Sequence, residues 1–372
     1  MSQDGDGTLR LALPSKGRPY EETLSFLADC GLAVSRPNPR QYVARIATVP
    51  GVTVVFDHAS EIPEKLRSGN VDAGITGTDC LLETGESDDD RTAVVYSDLG
   101  YLNAALTIAV PDAWIDVWGL HDLADLSVRF RERNRTMRIA SDWPNLTRQF
   151  LHQRGIYYVD VIEQPGAVES APLMGYADAI STLTSTGTSL RENRLKALTG
   201  GVVLDVQQCL FANLIALRNR PAKLGPLGMI LELIEGRAQA RQLVTVTANV
   251  CGPDADAVAA HIWQRPELAG LQGPTVAPVF GAPGSNQSWY AVTIVVPMAR
   301  LLAAVEHFRQ SGGTGVTVLP ARYVFNGNST AYESLLARLK RTGTHVTAPP
   351  LAANAPASNP VPADFLGSQL AP

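Results

Sequence analysis

The chain has 372 residues, of which 45% are hydrophobic and 18% charged, as expected of a globular protein large enough for two or three domains. Its net charge of −5 excludes a global basic field that would attract nucleic acid, so an anionic ligand needs local Lys and Arg or a metal ion. No apolar run approaches the length of a membrane span, which predicts no membrane partner.

The four cysteines form no C-x-x-C pair, and no histidine lies at metal-ligand spacing from them. We expect buried free thiols in a reducing compartment. The first ten residues, MSQDGDGTLR, are polar and acidic, unlike a signal or transit peptide. These features together predict a cytoplasmic protein.

The first predicted strand, 9–13 (LRLAL), leads into a turn that carries Lys16, Gly17 and Arg18. A helix is predicted from Glu21 to Cys30. Two cations beside a glycine at a strand–helix turn would suit the oxygens of a polyphosphate. Solvated surface charge is an equally acceptable reading of these two side chains.

Strands then alternate with helices as far as about residue 216, which predicts parallel α/β sheets. Ligand-binding turns are expected at the carboxyl ends of the strands. A polar turn at 141–148 (SDWPNLTR) follows a predicted strand and is a potential anion site. The glycine turn at 74–79 (GITGTD) follows another strand, where close chain packing is the simpler explanation.

A hydroxyl-rich turn follows the predicted strand 180–183, and a helix is predicted at 190–198. The turn consists of Thr184, Ser185, Thr186, Gly187, Thr188 and Ser189. Its glycine would let the backbone approach a ligand, and its N–H groups and hydroxyls could donate to phosphate oxygens. The alternative is a polar turn in which Ser189 only caps the helix.

Beyond residue 240 the pattern changes to β-α-β-β-α-β, the element order of a ferredoxin-like sandwich. The predicted elements are 243–250, 255–263, 275–279, 289–296, 298–310 and 316–319. The Ala-, Pro- and Asn-rich end of the chain is predicted to be disordered.

The stretch 169–190 resembles the signature of the ATP phosphoribosyltransferases, the first enzymes of histidine biosynthesis. The matching positions are Glu169, Gly175, Ala177, Ile180, Leu183, Thr186, Gly187 and Leu190. Thr182 stands where the family has Asp, and Ser189 where it has Thr. The turn at 14–18 is similar to the family's Pro-Asn-Lys-Gly-Arg, and 140–148 to its Ala-Thr-x-Tyr-Pro-Asn-Leu-Thr-Arg.

This resemblance implies two lobes like a type II periplasmic binding protein, followed by a C-terminal ferredoxin-like α+β domain. The first lobe would comprise 8–104 with 200–220, and the second 105–199 with the phosphoribosyl-binding loop. The ferredoxin-like domain, 240–325, would bind histidine as a feedback inhibitor or serve assembly only. The segment 346–372 would be a disordered tail.

The resemblance also implies a reaction: transfer of 5-phosphoribosyl from phosphoribosyl pyrophosphate to N1 of ATP, with Mg²⁺ as cofactor and pyrophosphate as product. Residues 184–189 would hold the 5-phosphate, while Lys16, Gly17 and Arg18 would bind polyphosphate. Glu169 and Thr182 would lie near the ribose, with Asp178 as a further acid. The metal ligands stay unassigned, and the family's long form implies a homo-oligomer, a dimer or hexamer.

Thr182 leaves two interpretations open, because a hydroxyl cannot offset positive charge as a carboxylate does. Either the enzyme works through Glu169 and Asp178, or the chain is a paralogue that binds phosphoribosyl ligands without turnover. A solute-binding protein of the same fold is a third possibility, disfavoured by the missing export signal and the extra C-terminal domain.

Overall fold

The structure, a computed structural model, describes residues 7–36, 38, 41–85, 91–280 and 287–341. The chain divides into two compact units, one of residues up to Leu231 and from Thr330, the other Glu232–Ser329. The tail predicted at 346–372 lies outside the described residues.

The helices and strands follow one another along the described ranges much as the sequence predicts. The strands are β1 (Leu9–Pro14), β2 (Val34–Ser35), β3 (Val43–Ile46), β4 (Val52–Asp57), β5 (Ala73–Gly77), β6 (Thr92–Tyr96), β7 (Ala104–Pro111), β8 (Met137–Ser141), β9 (Val159–Glu163), β10 (Ala179–Thr184), β11 (Leu195–Val206), β12 (Gln208–Asn213), β13 (Leu243–Cys251), β14 (Thr275–Val279), β15 (Trp289–Pro297) and β16 (Gly313–Pro320). The α-helices are α1 (Gly17–Asp29), α2 (Ile62–Arg67), α3 (Thr78–Glu83), α4 (Leu120–Glu132), α5 (Pro144–Gln153), α6 (Thr188–Glu192), α7 (Leu214–Asn219), α8 (Leu224–Ala240), α9 (Ala255–Ile262), α10 (Leu301–Gln310) and α11 (Thr330–Arg341).

The first sheet of the first unit has the strand order β2-β3-β4-β1-β5-β12-β6. β1 is parallel to β4 and β5, whereas β12 is antiparallel to β5 and β6. β1 and β5 are almost wholly buried, as parallel strands covered on both faces must be. A Cβ on Gly74 would lie 2.7 Å from Ile62 Cγ2, so the glycine lets α2 pack closely against β5.

A buried ion pair ties the first sheet to the turn that follows α7. Lys223 Nζ donates to Asp72 Oδ2 at 2.8 Å, and the Arg10 N–H donates to the same oxygen at 2.8 Å. Both charged side chains are at most 1% exposed. The pairing satisfies each charge where water cannot reach it.

The second sheet has the strand order β11-β7-β10-β8-β9. β8 is parallel to β9 and β10, and β7 is antiparallel to β10 and β11. Successive residues of a strand point to opposite faces. Ile139 therefore joins the hydrophobic cluster on one face, and Ala140 the cluster on the other.

The chain returns from the second sheet to the first at Gln207, between β11 and β12, rather than near residue 200 as predicted. The helix predicted at 190–198 accounts for the difference, because α6 ends at Glu192 and Leu195 already begins β11. Leu195 and Leu198 are buried as strand residues. Leu195 and Leu198 lie on opposite faces of β11 and join different hydrophobic clusters, so the spacing of three that suggested a helix comes from a strand buried on both faces.

The second unit is a four-stranded antiparallel sheet of order β14-β15-β13-β16. α9 lies between β13 and β14 in the chain, and α10 between β15 and β16. Residues of both helices share one core with the central strands, among them Val258, Phe308 and Val246. This is the predicted β-α-β-β-α-β order, over Glu232–Ser329. The predicted fold class, two lobes of the type II periplasmic-binding-protein kind followed by a ferredoxin-like domain, is confirmed.

None of the helices in the described ranges is long and apolar enough to cross a membrane.

Candidate active site

The hydroxyl-rich turn lies at the carboxyl end of β10, where the chain enters α6. Gly187 has φ 69°, a left-handed conformation that glycine adopts without strain, and its N–H donates to Thr184 Oγ1 at 3.0 Å. Gly187 also occupies the N-cap position of α6, which rules out the alternative in which Ser189 is the cap. Exposed side chains in the turn are Ser185, Thr186, Thr188 and Ser189.

Arg191 brings a cation to this turn, and the sequence reasoning missed it. Its guanidinium donates to the Thr186 carbonyl at 3.2 Å and to Thr188 Oγ1 at 3.1 Å. The side chain is exposed, so it can exchange these neutral acceptors for a phosphate oxygen. Its position four residues after Gly187, one helical turn along, was the available signal.

Glu169 and Thr182 lie together, as predicted. Thr182 Oγ1 donates to Glu169 Oε1 at 3.3 Å. Thr182 is 5% exposed within β10, and Glu169 belongs to the single helical turn Val168–Ser170. Thr182 lies two residues before Thr184, where the hydroxyl-rich turn begins, on the same strand.

Asp142, just beyond β8, is a second acid that the sequence reasoning did not single out. Its Oδ1 accepts from the Gly166 N–H at 2.8 Å. Burial raises the pKa of Asp142, the Gly166 N–H lowers it, and the negative charge of Glu169 raises it further. The two carboxyl groups are thus near enough to interact.

Asp178 does not join the site, which corrects the expectation drawn from the sequence. It precedes β10, whose six residues separate it from the turn by about 20 Å at about 3.3 Å per residue. Its carboxylate accepts from the Arg138 N–H at 2.9 Å and from Arg135 at 3.0 Å. Asp178 therefore fastens the amino ends of β8 and β10.

The carboxyl ends of the two sheets meet at a junction between α3 and α5. The Trp143 side chain, just beyond β8, hydrogen-bonds to Asp79, just beyond β5. Glu83 accepts from the N–H groups of Asn145 and Leu146 at 2.8 and 3.0 Å, which caps the first turn of α5 from the other lobe. Burial raises the pKa of Asp79 to about 6, although its hydrogen bond with Trp143 lowers that pKa.

The turn that contains Lys16, Gly17 and Arg18 follows β1 in the first sheet, whereas the hydroxyl-rich turn follows β10 in the second. β1 lies beside β5 in the first sheet, and β10 lies beside β8 in the second. The two turns therefore follow strands that lie next to β5 and β8, the strands whose ends are linked by the Asp79–Trp143 hydrogen bond. Lys16 and Arg18 are both exposed, and Arg18 pairs with Glu22 at 3.6 Å.

Buried hydroxyls hold the cleft wall of the second lobe. Thr147 Oγ1 donates to Ser181 Oγ at 2.9 Å and lies 3.2 Å from Ser141 Oγ. Ser141 Oγ also accepts from the Trp143 N–H at 2.9 Å. These hydrogen bonds link the ends of β8 and β10 to the start of α5.

No group of three or more His, Cys, Asp or Glu side chains that could hold a metal ion occurs among the described residues. An all-protein metal cage is therefore absent from that part of the chain. Mg²⁺ is ordinarily held by one or two carboxylates together with substrate phosphates. The absence of such a group among the described residues is therefore compatible with a Mg²⁺ site.

Two family models match the chain, one over most of the two-lobed region and one over the ferredoxin-like domain. The family model described as HisG: ATP phosphoribosyltransferase matches residues 58–235, and that of the HisG C-terminal domain matches 240–323. ATP phosphoribosyltransferase 2, chloroplastic, of Arabidopsis thaliana is 39% identical over 343 residues, 91% of this chain and 82% of the relative.

A bacterial relative supports the same family, and one solved structure shows a weaker similarity. ATP phosphoribosyltransferase of Nitrobacter winogradskyi is 36% identical over 88% of this chain and 97% of the relative. The ATP phosphoribosyl transferase (HisG:HisZ) complex from Thermotoga maritima is 25% identical over 61% of this chain and 98% of that one, with a TM-score of 0.46. The chain is thus an enzyme of the ATP phosphoribosyltransferase family.

Proposed function

We propose that the chain transfers 5-phosphoribosyl from phosphoribosyl pyrophosphate to N1 of the adenine of ATP, the first step of histidine biosynthesis. The observation that carries the proposal is the turn 184–189, with its left-handed Gly187 and exposed hydroxyls. Thr182, which donates to Glu169, lies two residues before this turn. A phosphate in the turn would place a ribose beside an acid. The names of the relatives supply the acceptor, ATP.

Two bonds change in this reaction. The N1 lone pair of adenine forms the new bond to ribose C1, and the C1–O bond to pyrophosphate breaks with its electron pair on the leaving oxygen. C1 becomes positively charged on the way. The turn 184–189 holds the 5-phosphate, Glu169 faces the ribose, and Lys16 and Arg18 stabilise the departing pyrophosphate from the opposite wall.

Mg²⁺ is the metal we propose, since it suits the oxygen ligands in the cleft. When bound, it would neutralise charge on the phosphate oxygens. Substrate phosphate oxygens would hold most of its coordination sphere, and its protein ligands stay unassigned.

We further propose that the ferredoxin-like unit binds histidine and that the chain assembles into a homo-oligomer, a dimer or hexamer, in the cytoplasm. The βαββαβ fold and the match to the HisG C-terminal domain support a regulatory or assembly role. Free thiols at all four cysteines suit a reducing compartment.

An assay of ATP with phosphoribosyl pyrophosphate, followed by absorbance with and without Mg²⁺, tests the activity. We expect turnover only when both substrates and Mg²⁺ are present. Calorimetric binding of phosphoribosyl pyrophosphate without turnover would favour the non-catalytic paralogue, and absence of both would refute the proposal.

A further inference from the structure

The cleft holds a neutral side chain at the point where the family pattern has an acid. Thr182 hydrogen-bonds to Glu169 at 3.3 Å, so Glu169 is the only acid that this part of β10 engages among the described residues. A threonine hydroxyl can donate to or accept from a ribose hydroxyl. It cannot offset the positive charge that develops at C1.

The register of the sheet brings a different acid to the same place. Ser141 of β8 pairs with Ser181 of β10 in parallel register. Asp142 directly follows Ser141 at the end of β8, and Thr182 directly follows Ser181 within β10, so both residues adjoin this pair on strands about 4.8 Å apart. The hydroxyl contacts of Thr147 with Ser141 and Ser181 keep the two strand ends at this level.

One hydrogen bond ties Asp142 to the segment that carries Glu169. The Gly166 N–H that binds Oδ1 belongs to the loop leading into Glu169, three residues later. No hydrogen bond from the described residues reaches Oδ2, and the residue is partly exposed. The raised pKa of Asp142, to which the charge of Glu169 contributes, agrees with this proximity.

We infer that Asp142 supplies, from β8, the second carboxylate of the site, in the place of the acid that Thr182 replaces on β10. The inference rests on the proposed function and identifies a further catalytic residue within it. Asp142 and Glu169 together face the ribosyl carbon as its bond to pyrophosphate breaks. The second acid is thus supplied by β8, the strand next to β10, instead of by β10 itself.

The test removes the charge of Asp142 and then restores a carboxylate at position 182. Asp142→Asn keeps the Oδ1 acceptor for the Gly166 N–H and removes only the charge. We expect the turnover number to fall about 10- to 100-fold, with a smaller change in the Michaelis constant for phosphoribosyl pyrophosphate, because the ribosyl charge exists mainly in the transition state. The double variant Asp142→Asn/Thr182→Asp should recover most of the loss.

Controls separate this role from a structural one. Asp160→Asn makes the same charge change at an exposed position near the amino end of β9, and should leave turnover unchanged. Thr182→Asp alone should give no gain, because the site already has two acids. Thermal melting confirms that each variant is folded.

Three outcomes overturn the inference: turnover of Asp142→Asn within about twofold of wild type, no recovery in the double variant, or a large gain from Thr182→Asp alone. Each of them is seen in a chain that is active, so the proposed function survives. A wild type without turnover would instead refute the proposed function, and the inference with it.

Discussion

At the scale of single residues, the conformation of Gly187 determines whether the turn can receive a phosphate. Its φ of 69° is costly for a residue with a Cβ, by about 1–2 kcal/mol, and more for a β-branched one. The Gly187 N–H also closes the turn by donating to Thr184. A side chain here would therefore change both the backbone and the space above it.

Gly187→Val should abolish binding of phosphoribosyl pyrophosphate, measured by calorimetry, while the chain stays folded. Gly155→Val is the matched control. Gly155 has φ 75°, and nothing lies within 4 Å of an added Cβ, but it follows α5 at the amino end of β9. It should cost stability and leave binding intact; unchanged affinity in Gly187→Val would exclude the turn as the phosphate site.

Arg191 is expected to strengthen phosphate binding without reaching the reacting carbon. Arg191→Met should raise the dissociation constant for phosphoribosyl pyrophosphate about tenfold, since a charge-assisted hydrogen bond contributes about 1.5–3 kcal/mol before solvent screening. Arg133→Met, an exposed change at the amino end of β8, is the control. Equal affinities of the two variants would leave Arg191 as a loop-bracing residue only.

At the scale of secondary-structure elements, contacts of α3 with α5 connect the two lobes. Glu83 caps α5 from the other lobe, and Asp79 meets Trp143 beside it. Asp79 lies just beyond β5, and Trp143 just beyond β8. A change in the charge of Asp79 or Glu83 would therefore act on this connection.

The raised pKa of Asp79 predicts a definite pH dependence. Its carboxyl has a pKa of about 6 when folded and 3.8 when exposed, so the folded state binds more protons between these values. Stability from this group is complete below about pH 4 and is lost as the pH rises through 6, by up to about 3 kcal/mol.

Asp79→Asn keeps a side-chain acceptor and removes the titration. Urea unfolding of both proteins at pH 4.5 and 7.5 gives the difference in stability between variant and wild type. This difference should shift in favour of the variant at the higher pH. A difference that is the same at both pH values would mean that Asp79 is not a buried titrating acid.

At the scale of the whole molecule, the ferredoxin-like unit accompanies a two-lobed unit that already carries all the proposed site residues. A separate unit of this kind suits regulation. Histidine should inhibit turnover of the full chain and raise its melting temperature, with lysine as the control amino acid, because a ligand that binds only the folded state stabilises it. No thermal shift and no inhibition by histidine would leave the unit an assembly module.

The sequence alone determined the order of the elements and the composition of the turns. Hydrophobic periodicity is a local property, so β1, β10 and the whole βαββαβ unit could be predicted from it. The turn 184–189 and the Lys16–Arg18 turn are also contiguous in the chain, which is why their residues could be named in advance. At Leu195–Leu198 the pattern of apolar residues suggested a helix, and this prediction was wrong because the segment is part of β11.

Only the tertiary structure decided which acids share the site. Asp178 is nearer to Thr182 in sequence than Asp142 is, yet it lies at the far end of an extended strand. Asp142 is forty residues away, but Ser141 beside it pairs with Ser181 beside Thr182, so the pairing of β8 with β10 brings the two regions together. Register between distant strands depends on the packing of both faces of the sheet, and no local sequence pattern contains that information.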